Sequence, residues 1–288
     1  MLPRRLEADV DHLCVGDHVS FRVGAGYDGL IAATGLLAAV PRLPAYVALY
    51  LLRLRHPVTV ARQLSTLAEL APGRLTLGVG IGGEDRHEVE ICGIDPRTRG
   101  RRMDECMEVL RGLVTGRPLT YRGSFFRLEE ALIVPPPSPP IPLVVGGRSE
   151  AAVRRAARLG DGWLAIWVSP RRFGEAVGQI EDEAASVNRD PARFEHALNV
   201  WCGFGEQREE ARRALATAME AYYRIPFQSF ERYSPCGTPD EVAEFLAPYA
   251  EAGCSAFNLV PCAADDAEAL EGVAEVRAKL CGPGPSHV

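Results

Sequence analysis

The sequence predicts an α/β protein built on one parallel sheet, open or closed. Three observations carry this expectation. Seven short apolar runs alternate with longer stretches of helical spacing, the βαβα order of a parallel sheet. The runs are apolar without a break, the pattern of strands covered on both faces. The intervening stretches open and close on recognisable helix signals. A chain of 288 residues suits one large closed α/β unit as well as two small ones. No linker or internal repeat interrupts it, so residues 1–288 read as a single domain.

The strands are expected at DHLCVG (11–16), YVALYLL (46–52), RLTLGV (74–79), IPLVV (141–145), GWLAIW (162–167), ALNVWCGF (197–204) and SAFNLV (255–260). Between them, PVTVARQLSTLAEL (57–70) begins with proline in its first helical position and stops before Gly73. RRMDECMEVLRGLV (101–114) has apolar residues at helical spacing. SEAAVRRAARLG (149–160) puts Ala152, Val153, Ala156 and Leu159 on one face and ends on glycine. Ser169-Pro170 starts another helix, and TPDE (238–241) is a capping box ahead of one more. Residues 119–134 read as a hairpin turning at Arg122-Gly123. PPPSPPIP (135–142) reads as a stiff surface connection, since its prolines forbid a helix.

Composition excludes several classes. With 47% hydrophobic and 24% charged residues the chain is globular rather than disordered. A net charge of −6 argues against a nucleic-acid or membrane-surface binder. Lys279 is the only lysine, which leaves Schiff-base chemistry almost without a candidate. The eight cysteines lack zinc spacing and are expected reduced and mostly buried, in a cytoplasmic protein. The N-terminus has no signal-peptide core, and the longest apolar run, Leu30 to Val40, is too short to span a bilayer.

Ligands of parallel α/β folds bind beyond the carboxyl ends of the strands. VGDHV (15–19) puts Asp17 and His18 at such an end. The histidine suits acid/base work near neutral pH, or a structural pair with a neighbouring loop. In GIGGEDRHEVE (80–90), Glu84 and Asp85 are candidate acid/base groups, while His87 and Glu88 read as the start of a solvated helical turn. GGRSEAA (146–152) runs two glycines into a helix N-terminus. There, backbone amides, Arg148 and Ser149 suit a phosphate, and Ser149 suits a cap equally. Trp163 and Trp167 suit the wall of a flat ligand or the core. No metal set, serine elbow or Walker loop is present.

Taken in order, VGDHV (15–19), LRLRHPVTVARQLSTLAELAPGRLTLGVGIGG (52–83), GIDPRTRGRRMDE (93–105), YRGSFFRLEEALIVPPP (121–137) and IPLVVGGRSEAAVRRAARLGDGW (141–163) resemble the bacterial luciferase-like family, in the branch that uses the deazaflavin coenzyme F420. The resemblance runs from about residue 11 to 180. It implies a TIM-type (β/α)8 barrel, lacking its first strand in this chain, which opens partway through what reads as the first helix. It implies an oxidoreductase that transfers a hydride between F420 and a small organic substrate. The alternatives are an FMN-dependent monooxygenase using reduced flavin, and a non-catalytic flavin- or deazaflavin-binding protein.

Residue by residue, the resemblance puts Asp17 and His18 beside the cofactor ring, His18 exchanging the proton, with Glu84 a further catalytic candidate. It puts a bulge with a non-proline cis peptide at Val47-Ala48 behind the ring. Ile81 and Gly82 match the loop at the deazaflavin, and Gly146 and Gly147 the glycines cradling the phosphate; Gly83, Arg148 and Ser149 beside them and Trp167 are further cofactor-binding candidates. Sugar-phosphate dehydrogenases of the family have glutamate where Gly83 stands and lysine where Ser169 stands, which argues against glucose 6-phosphate as substrate. The resemblance also implies a homodimer.

Overall fold

The computed structural model describes residues 9–22, 24–82 and 85–281. They form two compact units, one from residues 12–164 and 179–194, the other from 9–11, 165–178 and 195–281.

The first unit contains β1 (Leu13–Val15), α1 (Gly29–Ala39), β2 (Ala45–Tyr50), α2 (Pro57–Leu70), β3 (Leu75–Val79), α3 (Arg86–Ile91), α4 (Arg99–Leu113), β4 (Leu119–Arg122), β5 (Arg127–Ala131), β6 (Leu143–Gly146), α5 (Glu150–Leu159) and the opening of β7 (Gly162–Ile166). Its sheet runs β1-β2-β3-β6-β7, every pair parallel, with Leu13 beside Ala45, Ala45 beside Leu75, Leu77 beside Leu143 and Val144 beside Gly162. The strands therefore run one way, and β1, β2, β3 and β6 present their carboxyl ends at one edge. Leu77, Val79, Val144, Val145 and Trp163 are buried, as unbroken apolar strands require.

The helices start where local chemistry says they should. Pro57 opens α2 with the His56 ring capping the Val58 amide, and α2 buries Val60, Ala61, Leu64, Leu67 and Ala68. Asp28 caps α1 by accepting from the Leu30 and Ile31 amides. The run Leu30 to Val40 thus forms most of a helix. Nothing in it is charged, so no polar face marks the helical period.

The hairpin forms as predicted, but its turn is Gly123–Phe126, longer than Arg122-Gly123, and a distant residue holds it. Glu105 of α4 accepts from the amides of Ser124, Phe125 and Phe126 at 2.7–3.2 Å. The proline-rich connection is docked rather than merely stiff. Ser65 donates to the Pro135 carbonyl at 2.7 Å and Arg62 to that of Val134 at 2.9 Å, while Val134-Pro135 and Ser138-Pro139 are cis.

The second unit contains α6 (Pro170–Ser186, whose last residues lie in the first unit), β8 (Ala197–Phe204), α7 (Arg208–Tyr223), β9 (Cys236–Gly237), α8 (Pro239–Glu251), β10 (Ala256–Cys262) and α9 (Asp266–Cys281). Parallel β8 and β10 pair from Ala197 beside Ala256 to Gly203 beside Cys262, and β9 pairs parallel with β8. The predicted capping box is present. The Thr238 hydroxyl accepts from the Glu241 amide, and the Glu241 carboxylate accepts from the Thr238 amide at 2.9 Å.

All eight thiols are free; four are buried and only Cys281 is exposed. Burial pushes Cys14 up to about 11 and Cys106 and Cys254 to about 12, so these thiols are poor nucleophiles. No helix of the described residues is long and apolar enough to cross a membrane, and no group of three or more His, Cys, Asp or Glu among them is arranged to hold a metal.

His196, buried just before β8, gives the fold a pH dependence. Burial lowers its pKa to about 4, so the native state keeps it neutral while the unfolded chain takes up a proton near pH 6.5. Its contribution is complete above that pH and declines as the pH falls towards 4. Stability should drop by about 2 kcal/mol between pH 6.5 and 5. Denaturant midpoints across that window should show the decline in the wild type and a flatter profile in His196→Leu.

Candidate active site

Asp17 stands just beyond β1, 2% exposed. Its two oxygens accept from the Gly29 amide at 2.9 Å, the Leu51 amide at 2.8 Å and both terminal nitrogens of Arg55 at 2.6 and 2.7 Å. Arg55 also reaches the Asp28 carboxylate at 3.0 Å and lies over the Tyr50 ring at 4.5 Å. One carboxylate thus ties the end of β1 to the start of α1 and the end of β2. With four donors satisfied, this geometry is that of an anchor rather than a proton carrier.

The next residue is placed differently. The His18 ring stacks on Phe21 with centroids 4.2 Å apart, and its Nδ1 lies 3.1 and 3.2 Å from the two oxygens of Glu88. Glu88 is 4% exposed and also accepts from the Val19 and Ser20 amides at 2.7 and 3.1 Å. The solvated reading of Glu88 is therefore corrected: α3 begins there as expected, but its first turn packs onto the loop after β1. Burial works against the Glu88 charge. The His18 hydrogen bond, the two amides and the charge of His18 outweigh it and hold the carboxyl below the ordinary glutamate range. Asp85 caps α3 and accepts from the Arg22 amide at 2.6 Å, so both carboxylates fasten the same loop.

The bulge expected in β2 is present, one peptide further on. The register slips between Val47 and Tyr50, and the non-proline cis bond is Ala48-Leu49, not Val47-Ala48. Val47 is fully buried, while Ala48 and Leu49 are half-buried. The Leu49 side chain lies across β3 and β6. A Cβ at Gly80 would come within 2.5 Å of it, one at Gly78 within 3.1 Å, and one at Gly146 would also collide with it. Gly146, expected to clear space for a phosphate, clears space for Leu49. The three glycines let this leucine form an apolar platform near the carboxyl edge of the sheet.

Gly147 has φ of +125°, a region that favours glycine, and its carbonyl accepts from the Trp163 indole at 2.6 Å. Trp163 therefore packs in the core, 1% exposed. Ser149 caps α5, accepting from the Ala152 amide at 3.2 Å, and Arg148 is exposed beside it. β2 and β3 separate β1 from β6, so the strands that lead to His18 and to the α5 N-terminus share one edge, three strand spacings or about 14 Å apart along the sheet. Ile81 and Gly82 follow β3 between them. The Ile81 carbonyl accepts from the Arg53 guanidinium, and Gly82 has φ of +54°. Gly83 and Glu84 lie outside the described residues.

Trp167 belongs to the second unit. It packs against Phe230 and Tyr223 at 4.7 and 5.2 Å between ring centroids, and the Trp201 indole donates to the Tyr223 hydroxyl at 3.2 Å. Ser169 accepts from the Arg172 amide at 3.2 Å, a cap for α6. Sequence reasoning did not single out Arg55 and Leu49 and misjudged Glu88. Only the motif LRLRHP hinted at a basic group near β2. Nothing local marks a carboxylate 70 residues from His18 as its partner.

Residues 7–256 match the family of luciferase-like monooxygenases, and the chain belongs to that family. An F420-dependent glucose-6-phosphate dehydrogenase from Nakamurella multipartita is 35% identical over 222 residues, covering 69% of this chain and 65% of that one. An uncharacterised protein from Mycobacterium tuberculosis is 41% identical over 130 residues, 45% of this chain and 44% of that one. The match thus spans only about half to two thirds of the length of these relatives. Among solved structures, an F420-dependent secondary alcohol dehydrogenase holding an F420-acetone adduct superposes with a TM-score of 0.84 at 20% identity, over 96% of this chain and 92% of that one. A monooxygenase from Streptomyces bottropensis gives 0.81 at 23%, over 96% and 91%. The fold is the TIM-type (β/α)8 α/β fold that the sequence predicts.

Removing the Asp17 carboxylate should test the anchor. Asp17→Ala leaves the Gly29 and Leu51 amides without that acceptor and deprives Arg55 of its bidentate partner, at a cost of about 3–5 kcal/mol. Urea unfolding should register this loss; a change under 1 kcal/mol would show that Asp17 is no anchor.

Proposed function

We propose that the chain is an F420-dependent oxidoreductase that transfers a hydride between the deazaflavin and a small organic substrate, with His18 exchanging the accompanying proton. The observation that carries this is the sharing of one sheet edge by the His18–Glu88 pair, the Leu49 platform and the α5 N-terminus. The residues fit the group. Leu49 offers an apolar surface to a flat ring, and the first-turn amides of α5 with Arg148 offer donors to an anionic arm. The strands leading to His18 and to those donors are about 14 Å apart along the sheet, room for a ring with its tail.

When bound, F420 supplies the hydride chemistry. Leu49 would support the ring, Arg148 and the α5 amides would hold the arm, and Glu88 orients His18. Its 2% exposure and four donors give Asp17 the work of holding that edge together. The F420 names of several relatives support this cofactor over FMN. The monooxygenase reading rests on the family description and on the Streptomyces neighbour. Ser169, which caps a helix, offers no cation where the sugar-phosphate dehydrogenases carry lysine, which argues against glucose 6-phosphate and leaves small carbonyls, alcohols and enones as the compounds to screen.

The test titrates the purified chain with F420 and with FMN and then screens those substrates. F420 should bind at least tenfold more tightly, and FMN winning would move the assignment to the monooxygenase. His18→Ala should keep F420 binding and lose turnover by about 10²–10⁴-fold. Tight F420 binding with no turnover across the screen would favour a binding protein.

A homodimer accompanies this reading. Helix α1 carries no charge, and Ile31 is 73% exposed on it beside exposed Gly35 and Ala38. A second copy covering this face would remove that apolar surface from water. Sedimentation should give a dimer for the wild type and a monomer for Ile31→Glu. A wild-type monomer at micromolar concentration would rule the dimer out.

A further inference from the structure

We propose that Glu88 is a positioning residue that fixes the tautomer of His18, holding the proton on Nδ1 so that Nε2 is the nitrogen that exchanges a proton with substrate. The proposal rests on the assignment of His18 above but makes a claim about the chain alone.

An ionised carboxylate only accepts hydrogen bonds. Glu88 is buried, yet the two amides and the ring hold its carboxyl on the ionised side. A nitrogen 3.1–3.2 Å from both its oxygens must therefore be a donor, so Nδ1 carries the hydrogen in the neutral ring. The remaining nitrogen of that neutral ring, Nε2, is then the basic one. When it takes a proton the imidazolium forms against a carboxylate already in place, and the Nδ1 hydrogen stays where it is. When it gives the proton back, the same neutral tautomer returns. Stacking on Phe21 at 4.2 Å fixes the ring plane, and the Val19 and Ser20 amides fix the carboxylate that sets its rotation. This is the orienting arrangement of a base held by a third group.

The polarity of the contacts makes the idea sharp. Oε1 of Glu88 receives both backbone amides. In Glu88→Gln the amide oxygen retains those two bonds, and the NH2 takes the Oε2 position facing Nδ1. Nδ1 would then meet a donor at the 3.1 Å position and, at 3.2 Å, a carbonyl oxygen whose two lone pairs are already taken by the Val19 and Ser20 amides, so the ring is better served with its proton on Nε2. Glu88→Gln should therefore keep the loop and invert the tautomer, which a merely structural role for Glu88 would not do.

The experiment uses the whole chain without cofactor, labelled with 15N in its six histidines. Long-range proton–nitrogen spectra are recorded at alkaline pH, where imidazoles are neutral, and the His18 signals are assigned by their loss in His18→Gln. The wild type should show Nδ1 protonated and Nε2 bare. Glu88→Gln should show the reverse, and Glu88→Asp, which retains a carboxylate, should restore the wild-type pattern. A wild type with its proton on Nε2 overturns the proposal whether or not the variants fold, as does Glu88→Gln with an unchanged tautomer. The function is judged separately. Turnover in Glu88→Gln should fall by about 10²–10⁴-fold with F420 affinity retained. An inverted tautomer with undiminished turnover would leave the positioning intact and remove His18 from the chemistry.

Discussion

Everything at the carboxyl edge of the first unit depends on one buried ion pair. Asp17 and Arg55 are 38 residues apart, and between them they fasten the ends of β1 and β2 and the first turn of α1. A carboxylate at zero side-chain exposure would be costly alone. Here it meets a planar guanidinium in bidentate geometry and two backbone donors, which offset the loss of water. The Arg55 guanidinium is itself distributed over Asp17, Asp28 and the Tyr50 ring, and the Asp17 charge keeps it protonated against the effect of burial. Rigid strand ends follow from this closure, and so does the fixed position of the next residue, His18.

Two buried carboxylates at the same edge illustrate how environment divides labour. Asp17 and Glu88 are both buried acids at the same edge, and both accept backbone amides. Asp17 faces a permanent cation, so its partners leave it nothing to exchange. Glu88 faces an imidazole, a group able to take up and give back a proton. The same chemical group thus serves as a fixed anchor in one place and as the partner of a proton-exchanging ring in the other, and the difference lies in the opposing side chain.

Glycines at this edge serve packing as much as ligand approach. A glycine pair before a helix invites the reading of a phosphate cradle, yet Gly146 is occupied by Leu49 from the bulged strand, in company with Gly78 and Gly80. Only Gly147, with its positive φ, shapes the turn into α5. The anion-binding capacity of the segment resides in the helix terminus and in Arg148. Those features survive without any role for Gly146 at the ligand.

The sequence by itself determined the strands, most of the long helices and their caps, because each is written in local periodicity and in residues adjacent to the element. The strands at 197–204 and 255–260, the helix at 57–70 and the capping box at Thr238 are legible for that reason. It also placed Asp17, His18 and Gly147 at strand ends, since chain order fixes which residues follow a strand. Helix α1 escaped because a helix without a polar face has no visible period, and α7 and α9 were not read from the sequence either. Tertiary structure alone decided the pairings: Arg55 with Asp17, Glu88 with His18, Glu105 with the hairpin turn and Leu49 with three glycines. Each joins residues from separate elements, and a one-dimensional pattern does not encode which buried charge will meet which donor once the strands lie side by side.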